Sequence, residues 1–169
     1  QGDALTGSST ANTIDGGNGA DTIEGGAGAD TLIGGNGTDT LSYANSASAV
    51  SINLTTNVVS GGDAAGDVVS LFESIIGSAQ ADTLSGDGGA NAIDGGSGDD
   101  TITAGGGNDT VDGGAGAGDL AVFSGAWLDY TITGSAGTSF TITDNRALSP
   151  DGTDLVSNVE NFQFTNGIF

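Results

Sequence analysis

The sequence is poor in the residues from which most functional sites are built. It has no cysteine, so neither a disulfide framework nor a thiolate metal site can form. It has no histidine, which removes an imidazole base and His-ligated zinc or iron. Arg146 is the one basic residue against 22 acids, giving a formal charge of −21. A phosphate backbone needs clustered Lys and Arg, so nucleic acid is excluded as a partner, and an anionic membrane surface with it. No apolar run approaches the roughly 20 residues of a membrane-crossing helix, and no N-terminal signal peptide is recognisable. A compact body with this charge repels itself, and stays unfolded unless cations neutralise it.

What the chain has is glycine, 33 of its 169 residues. Glycine costs about 1 kcal/mol per helical site relative to alanine, so helices are not expected, and Thr, Ile and Val supply strand formers between the glycines. The glycines are phased. A nonapeptide of the form Gly-Gly-x-Gly-x-Asp-x-aliphatic-x reads GGNGADTIE from Gly16, GGAGADTLI from Gly25, GGNGTDTLS from Gly34 and GGSGDDTIT from Gly95. Weaker copies start at Gly7, Gly77, Gly86, Ala104 and Gly113. The chain opens in mid-phrase, with Asp3 and Leu5 at positions six and eight of a truncated copy, and is expected to be a piece of a longer protein.

Four segments follow from this phase. Residues 1–42 form a first repeat block, 43–76 a strand-rich insert, 77–121 a second repeat block and 122–169 a C-terminal β cap. The insert and the cap resemble each other: Asp67-Val-Val-Ser-Leu-Phe-Glu73 aligns with Asp154-Leu-Val-Ser-Asn-Val-Glu160. This suggests a duplication in which each stretch is a lid on its block. Alternation at Val50, Ile52 and Leu54, then at Tyr130 and Ile132, and at Phe140 and Ile142, predicts short strands, with a hairpin turn over Gly134–Gly137. Phe123, Trp127, Tyr130, Phe140, Phe162, Phe164 and Phe169 are expected to form a small core that closes the end of the stack.

Within one nonapeptide, positions one to six are a tight turn whose glycines permit positive φ and leave carbonyl oxygens uncovered. Positions seven to nine are a short strand with the position-eight aliphatic inward, at Ile14, Ile23, Leu32, Leu41, Leu84, Ile93, Ile102 and Val111. Two nonapeptides make one coil, so turns two repeats apart stack. Between them lies a cage of carbonyl and carboxylate oxygens without nitrogen or sulfur, which suits Ca²⁺ better than Mg²⁺. The position-six candidates are Asn12, Asp21, Asp30, Asp39, Asp82, Asn91, Asp100 and Asp109, with the two asparagines the weaker for lack of charge. Glu73 lies nine residues before Asp82, in register with position six; Asp67, and by the duplication Asp154 and Glu160, are second-rank candidates. In the last copy Gly118 falls at position six and Asp119 comes one residue late, leaving that site in doubt.

These residues resemble the RTX (repeats-in-toxin) family, the hemolysin-type calcium-binding repeats, over both blocks. The resemblance implies an all-β, right-handed parallel β-roll, a calcium-loaded solenoid holding several Ca²⁺ ions. It implies ligation by the position-six side chains and by turn carbonyls of Gly17, Gly19, Gly26, Gly28, Gly35, Gly37, Gly96, Gly98, Gly105 and Gly107. It also implies a bacterial protein exported through type I secretion machinery and folded outside the cell. A solvated acidic surface would have no reason to keep a nine-residue phase, and a flexible linker would not keep its aliphatics. Serine lacks a His or Lys partner, so no catalysis is expected within the chain. Two other readings remain: an adhesion module binding polysaccharide or ice through the outward threonines, and the non-catalytic tail of a secreted peptidase, lipase or alginate-modifying enzyme.

Overall fold

The computed structural model describes residues 1–135 and 139–169. Each repeat yields a strand of only three residues, or six where the flanking glycines extend it. The reason is local: Thr-Ile-x favours extended backbone, and the next glycine pair turns it away. In Thr22–Glu24, Thr83–Ser85 and Thr101–Thr103 the middle aliphatic is buried while its neighbours face out. Pairing is parallel and joins residues eighteen apart, as in Leu5↔Ile23, Ile23↔Leu41 and Ile93↔Val111. Two nonapeptides therefore complete one coil, and the fold is a parallel β-roll.

Three sheets build the roll. The longest has nine strands, in the order Ala4–Thr6, Thr22–Glu24, Thr40–Ser42, Ser74–Ile76, Ala92–Asp94, Thr110–Asp112, Thr153–Ser157, Ser139–Asp144 and Tyr130–Gly134. Its first seven are parallel, and the last two turn antiparallel. Its inward row is Leu5, Ile23, Leu41, Ile75, Ile93, Val111 and Val156. The facing side is split in two. A three-stranded sheet stacks Ile14, Leu32 and Val69, and a seven-stranded sheet stacks Ile52, Leu84, Ile102, Ala121 and Phe162. These rows are the core; from Ile23 to Val156 they are almost fully buried.

The stretches 43–76 and 122–169 were expected to act as lids. Within them, 67–76 and 153–164 run as irregular coils of the roll. Val69 pairs with Leu32, and Ile75 lies between Leu41 and Ile93. Val156 and Phe162 likewise pair with Val111 and Ala121. The six-residue glycine turn is replaced by a shorter one, in which Leu71 and Asn158 take positive φ, +61° and +51°. Segment 43–66 drops the nine-residue phase: Ser51–Asn53 joins the seven-stranded sheet parallel to Thr83–Ser85, Val58–Ser60 folds back antiparallel on it, and Val50, Ile52 and Leu54 are buried.

The aromatic residues expected to close the stack do converge. Phe123 stacks on Phe164 at 5.3 Å, Trp127 and Tyr130 each lie 5.2 Å from Phe164, Phe140 meets Phe162 at 5.3 Å, and Trp127 meets Phe169 at 4.7 Å. Tyr130–Gly134 and Ser139–Asp144 pair as a hairpin, and Ala136 and Gly137 of its expected turn lie outside the described residues. The chain's one cation sits beside this cluster. Arg146 Nε and Nη2 donate to Asp144 Oδ1 and Oδ2 at 2.9 and 2.8 Å, and Nη2 lies 3.1 Å from Asp151.

Candidate metal centre

The position-six side chains point inward from the turns. Asp21, Asp30, Asp39, Asp82, Asp100 and Asp109 are each no more than 2 % exposed. In the repeated arrangement Oδ1 accepts the position-six amide of the preceding coil: Asn12 to Asp30 at 2.7 Å, Asp21 to Asp39 at 2.8 Å, Asp82 to Asp100 at 2.7 Å and Asn91 to Asp109 at 2.9 Å. The bond locks each carboxylate in one orientation and stitches coil to coil.

The second oxygen is different. Oδ2 of Asp21, Asp30, Asp39, Asp100, Asp109 and Asp119 is buried without a hydrogen-bond partner among the described residues. A buried carboxylate oxygen with no partner is costly, of the order of several kcal/mol when charged, and such atoms are rare in folded proteins. Six of them in one repeated position make a pattern rather than a packing fault.

Carbonyl oxygens meet these atoms at Gly16 and Gly95, the first glycines of their turns. A Cβ placed on Gly16 would lie 2.6 Å from Gly34 O and 2.7 Å from Asp21 Oδ2. One on Gly95 would lie 2.6 Å from Gly113 O and 2.5 Å from Asp100 Oδ2. Only glycine leaves that space open. The ten candidate glycines from Gly17 to Gly107 all have positive φ, as the turn requires, although Gly96 O already accepts Ala115 N. Among the described residues no three acidic side chains converge on one point. The oxygen set pairs single carboxylates with main-chain carbonyls, which is a hard-cation environment.

Burial pushes Asp100 up to about 7 and Asp109 up to about 6, against the hydrogen bonds from the Asp82 and Asn91 amides, with neighbouring acids raising them further. Burial likewise pushes Asp154 up to about 7.

The remaining candidates have protein partners. Asp82 Oδ2 accepts Ser78 N at 2.5 Å, while Oδ1 accepts Val50 N and the Ser78 hydroxyl. Asp67 Oδ1 accepts Asp30 N at 2.7 Å, and its Oδ2 accepts the Tyr43 hydroxyl at 2.8 Å. Asn12 Oδ1 accepts Ser8 N, and Asn91 both accepts Asp87 N and donates to Glu73 O. Glu73 and Glu160 reach the amides of Asp39 and Asp119 at 2.8 and 3.1 Å, standing in for the aspartate of a regular coil. Asp154 accepts Asp109 N at 3.0 Å.

Asp119 holds the position that the nine-residue phase gave to Gly118. It is fully buried, its Oδ1 accepts Asp100 N at 2.8 Å from nineteen residues away, and its Oδ2 is one of the six without a partner. The last turn is one residue longer than its relatives. The sequence signal was the spacing of Asp119 to Ala121, which repeats the Asp-x-apolar spacing of every other coil.

Residues 6–41, 72–102 and 85–120 match the model of the RTX calcium-binding nonapeptide repeat, in four copies. No curated protein matches the chain. The matched residues span just over half of the chain and contain all six partnerless carboxylates, with Asp119 one residue from the end of the last match. With the repeat, the oxygen-only donors and the parallel roll in agreement, the chain belongs to the RTX calcium-binding nonapeptide repeat family and is a β-roll module that binds several Ca²⁺ ions.

Proposed function

We propose that the chain is the calcium-dependent folding module of a secreted bacterial protein, structural rather than catalytic, which stabilises that protein once it reaches a calcium-rich medium. The observation that carries this is the row of six buried carboxylate oxygens without protein partners. In this reading Asp21, Asp30, Asp39, Asp100, Asp109 and Asp119 hold the ions together with turn carbonyls. Bound calcium supplies the positive charge that offsets these buried oxygens.

The rest of the chain has a matching part in this reading. The blocks 1–42 and 77–121 carry the ions, 43–76 joins them, and 122–169 caps the stack with its aromatic cluster and the Arg146 ion pairs. Without cations, a chain of charge −21 has little to offset its ordering entropy but thin aliphatic rows. Extracellular calcium modules bind at about 0.1–1 mM, so the roll would form outside a cell and not in its cytosol. Passage through type I secretion machinery in the unfolded state is the export route that fits this behaviour.

The adhesin reading finds less support. The outward row of the long sheet runs Ala4, Thr22, Thr40, Ser74, Ala92, Thr110, Leu155, so the threonine face is interrupted. Limited proteolysis tests the proposal. The chain should be degraded at submicromolar calcium and protected as a whole at a few millimolar. Equal protection in both would remove the link between calcium and folding.

A further inference from the structure

Asp67 differs from the other position-six aspartates of its half of the roll. Like Asp30 it is buried and receives a backbone amide on Oδ1. Unlike Asp21, Asp30 and Asp39, its second oxygen is filled: the fully buried Tyr43 hydroxyl donates to Oδ2 at 2.8 Å. The turn that ends on it differs too. Gly61–Asp67 is one residue longer than the regular six-residue turn and winds into the 3₁₀ segment Gly62–Ala64. Its Gly61 and Ala64 carbonyls accept Ala64 N and Asp67 N within the turn.

Strand Val68–Ser70 is the edge of the three-stranded sheet, so no further parallel coil stacks beyond it. The loop before the hairpin takes that place with hydroxyls. Ser46 Oγ accepts Asp63 N at 3.1 Å and donates to Ser48 O at 2.8 Å. At Gly25, in the turn beneath, the three atoms nearest a built Cβ all belong to Asp30, and no carbonyl of the 61–67 turn is among them.

We propose that the Tyr43 hydroxyl stands where an ion would otherwise sit on Asp67, making this rung a metal-free staple. It ties the chain leaving the first block at Tyr43 to the coil that re-enters the roll at Asp67. The facing side of the roll thereby carries two separate calcium rows instead of one continuous row. Asp82, whose Oδ2 is filled by Ser78 N, opens the second row in the same way, by protein donors. Tyr43 is here a positioning residue: it sets where calcium does not bind.

This inference rests on the calcium reading above, and the two fail separately. Bound calcium is counted by equilibrium dialysis at 10 mM for the parent chain, Asp21→Asn and Asp67→Asn. Asp21→Asn, where Gly34 O and Asp21 Oδ2 meet at Gly16, loses one ion, and Asp67→Asn keeps the parent count. Loss of one ion in Asp67→Asn would overturn the staple, whereas a parent that binds no calcium would overturn the calcium reading itself. Tyr43→Phe gives a second, independent readout. It removes one buried hydrogen bond to a charged group, so the melting temperature falls by about 5 °C, and by the same amount at 2 and at 20 mM calcium. A loss that disappears at 20 mM calcium would mean that an ion, not the hydroxyl, holds Asp67.

Discussion

Replacing Asp100 with asparagine separates ligation from mere stability. The amide keeps an oxygen for the Asp82 amide, which Asp100 Oδ1 accepts at 2.7 Å, and loses the buried, partnerless Oδ2 charge. It also removes a carboxyl that burial has pushed up to about 7, so the calcium-free fold is relieved of a charge while the calcium-bound fold loses a ligand. The two effects oppose each other in the melting temperature at a single calcium concentration. They do not oppose each other in its calcium dependence.

For one site of dissociation constant about 0.1–1 mM, raising calcium from about 2 to about 20 mM stabilises the fold by roughly 1.1–1.4 kcal/mol. In a domain of this size that is about 2–5 °C. Asp100→Asn should therefore respond to the tenfold increase by about that much less than the parent. Asp15→Asn, an exposed acid on the outer face of strand Thr13–Asn18, should respond as the parent does. The assay is thermal unfolding by circular dichroism at both concentrations. An Asp100→Asn chain whose melting temperature rises as steeply with calcium as the parent's would refute the assignment of that oxygen to a metal.

Three other outcomes follow from the same geometry. Asp100 and Asp154, at about 7, and Asp109, at about 6, lie above the ordinary carboxylate value of 3.8, so without calcium they stabilise the fold when protonated. In chelator, any residual strand signal should therefore diminish as pH rises from about 4 to about 7, and calcium should stabilise more at pH 7.5 than at pH 5; strand signal in chelator that grows with pH would contradict the burial of these groups. Gly35 has φ +115°, and a Cβ there would lie 2.9 Å from Gly17 N, so Gly35→Ala should destabilise by more than about 1 kcal/mol in calcium, a loss visible in the urea midpoint. Arg146→Gln leaves Asp144 and Asp151 without their cation and should cost about 3 kcal/mol at 2 and at 20 mM calcium alike; a loss restored at the higher calcium would place this cluster among the metal sites.

The regular coils were legible because one nine-residue phrase carries every instruction at once. Thr-Ile-x makes the strand, the glycines make the turn, and Asp21 or Asp100 falls where two turns stack. Residues 67–76 and 153–164 were harder, because their turns contain no glycine pair. Asp67 and Glu73 stand six residues apart instead of nine, and Leu71 adopts the positive φ that glycine supplies elsewhere. Their mutual likeness was visible in the sequence, but not that the likeness is to a coil. Asp119 was hidden by a single added residue. The Tyr43–Asp67 bond joins positions 24 apart through an excursion with no repeat, and no spacing encodes it.

Far-UV circular dichroism of the chain during a calcium titration at pH 7.5, starting in excess chelator, tests most directly whether ions complete this fold. Strand signal should be largely missing in chelator and appear cooperatively as calcium passes through roughly 0.1–1 mM. A full strand spectrum in chelator, unchanged on adding calcium, would contradict it.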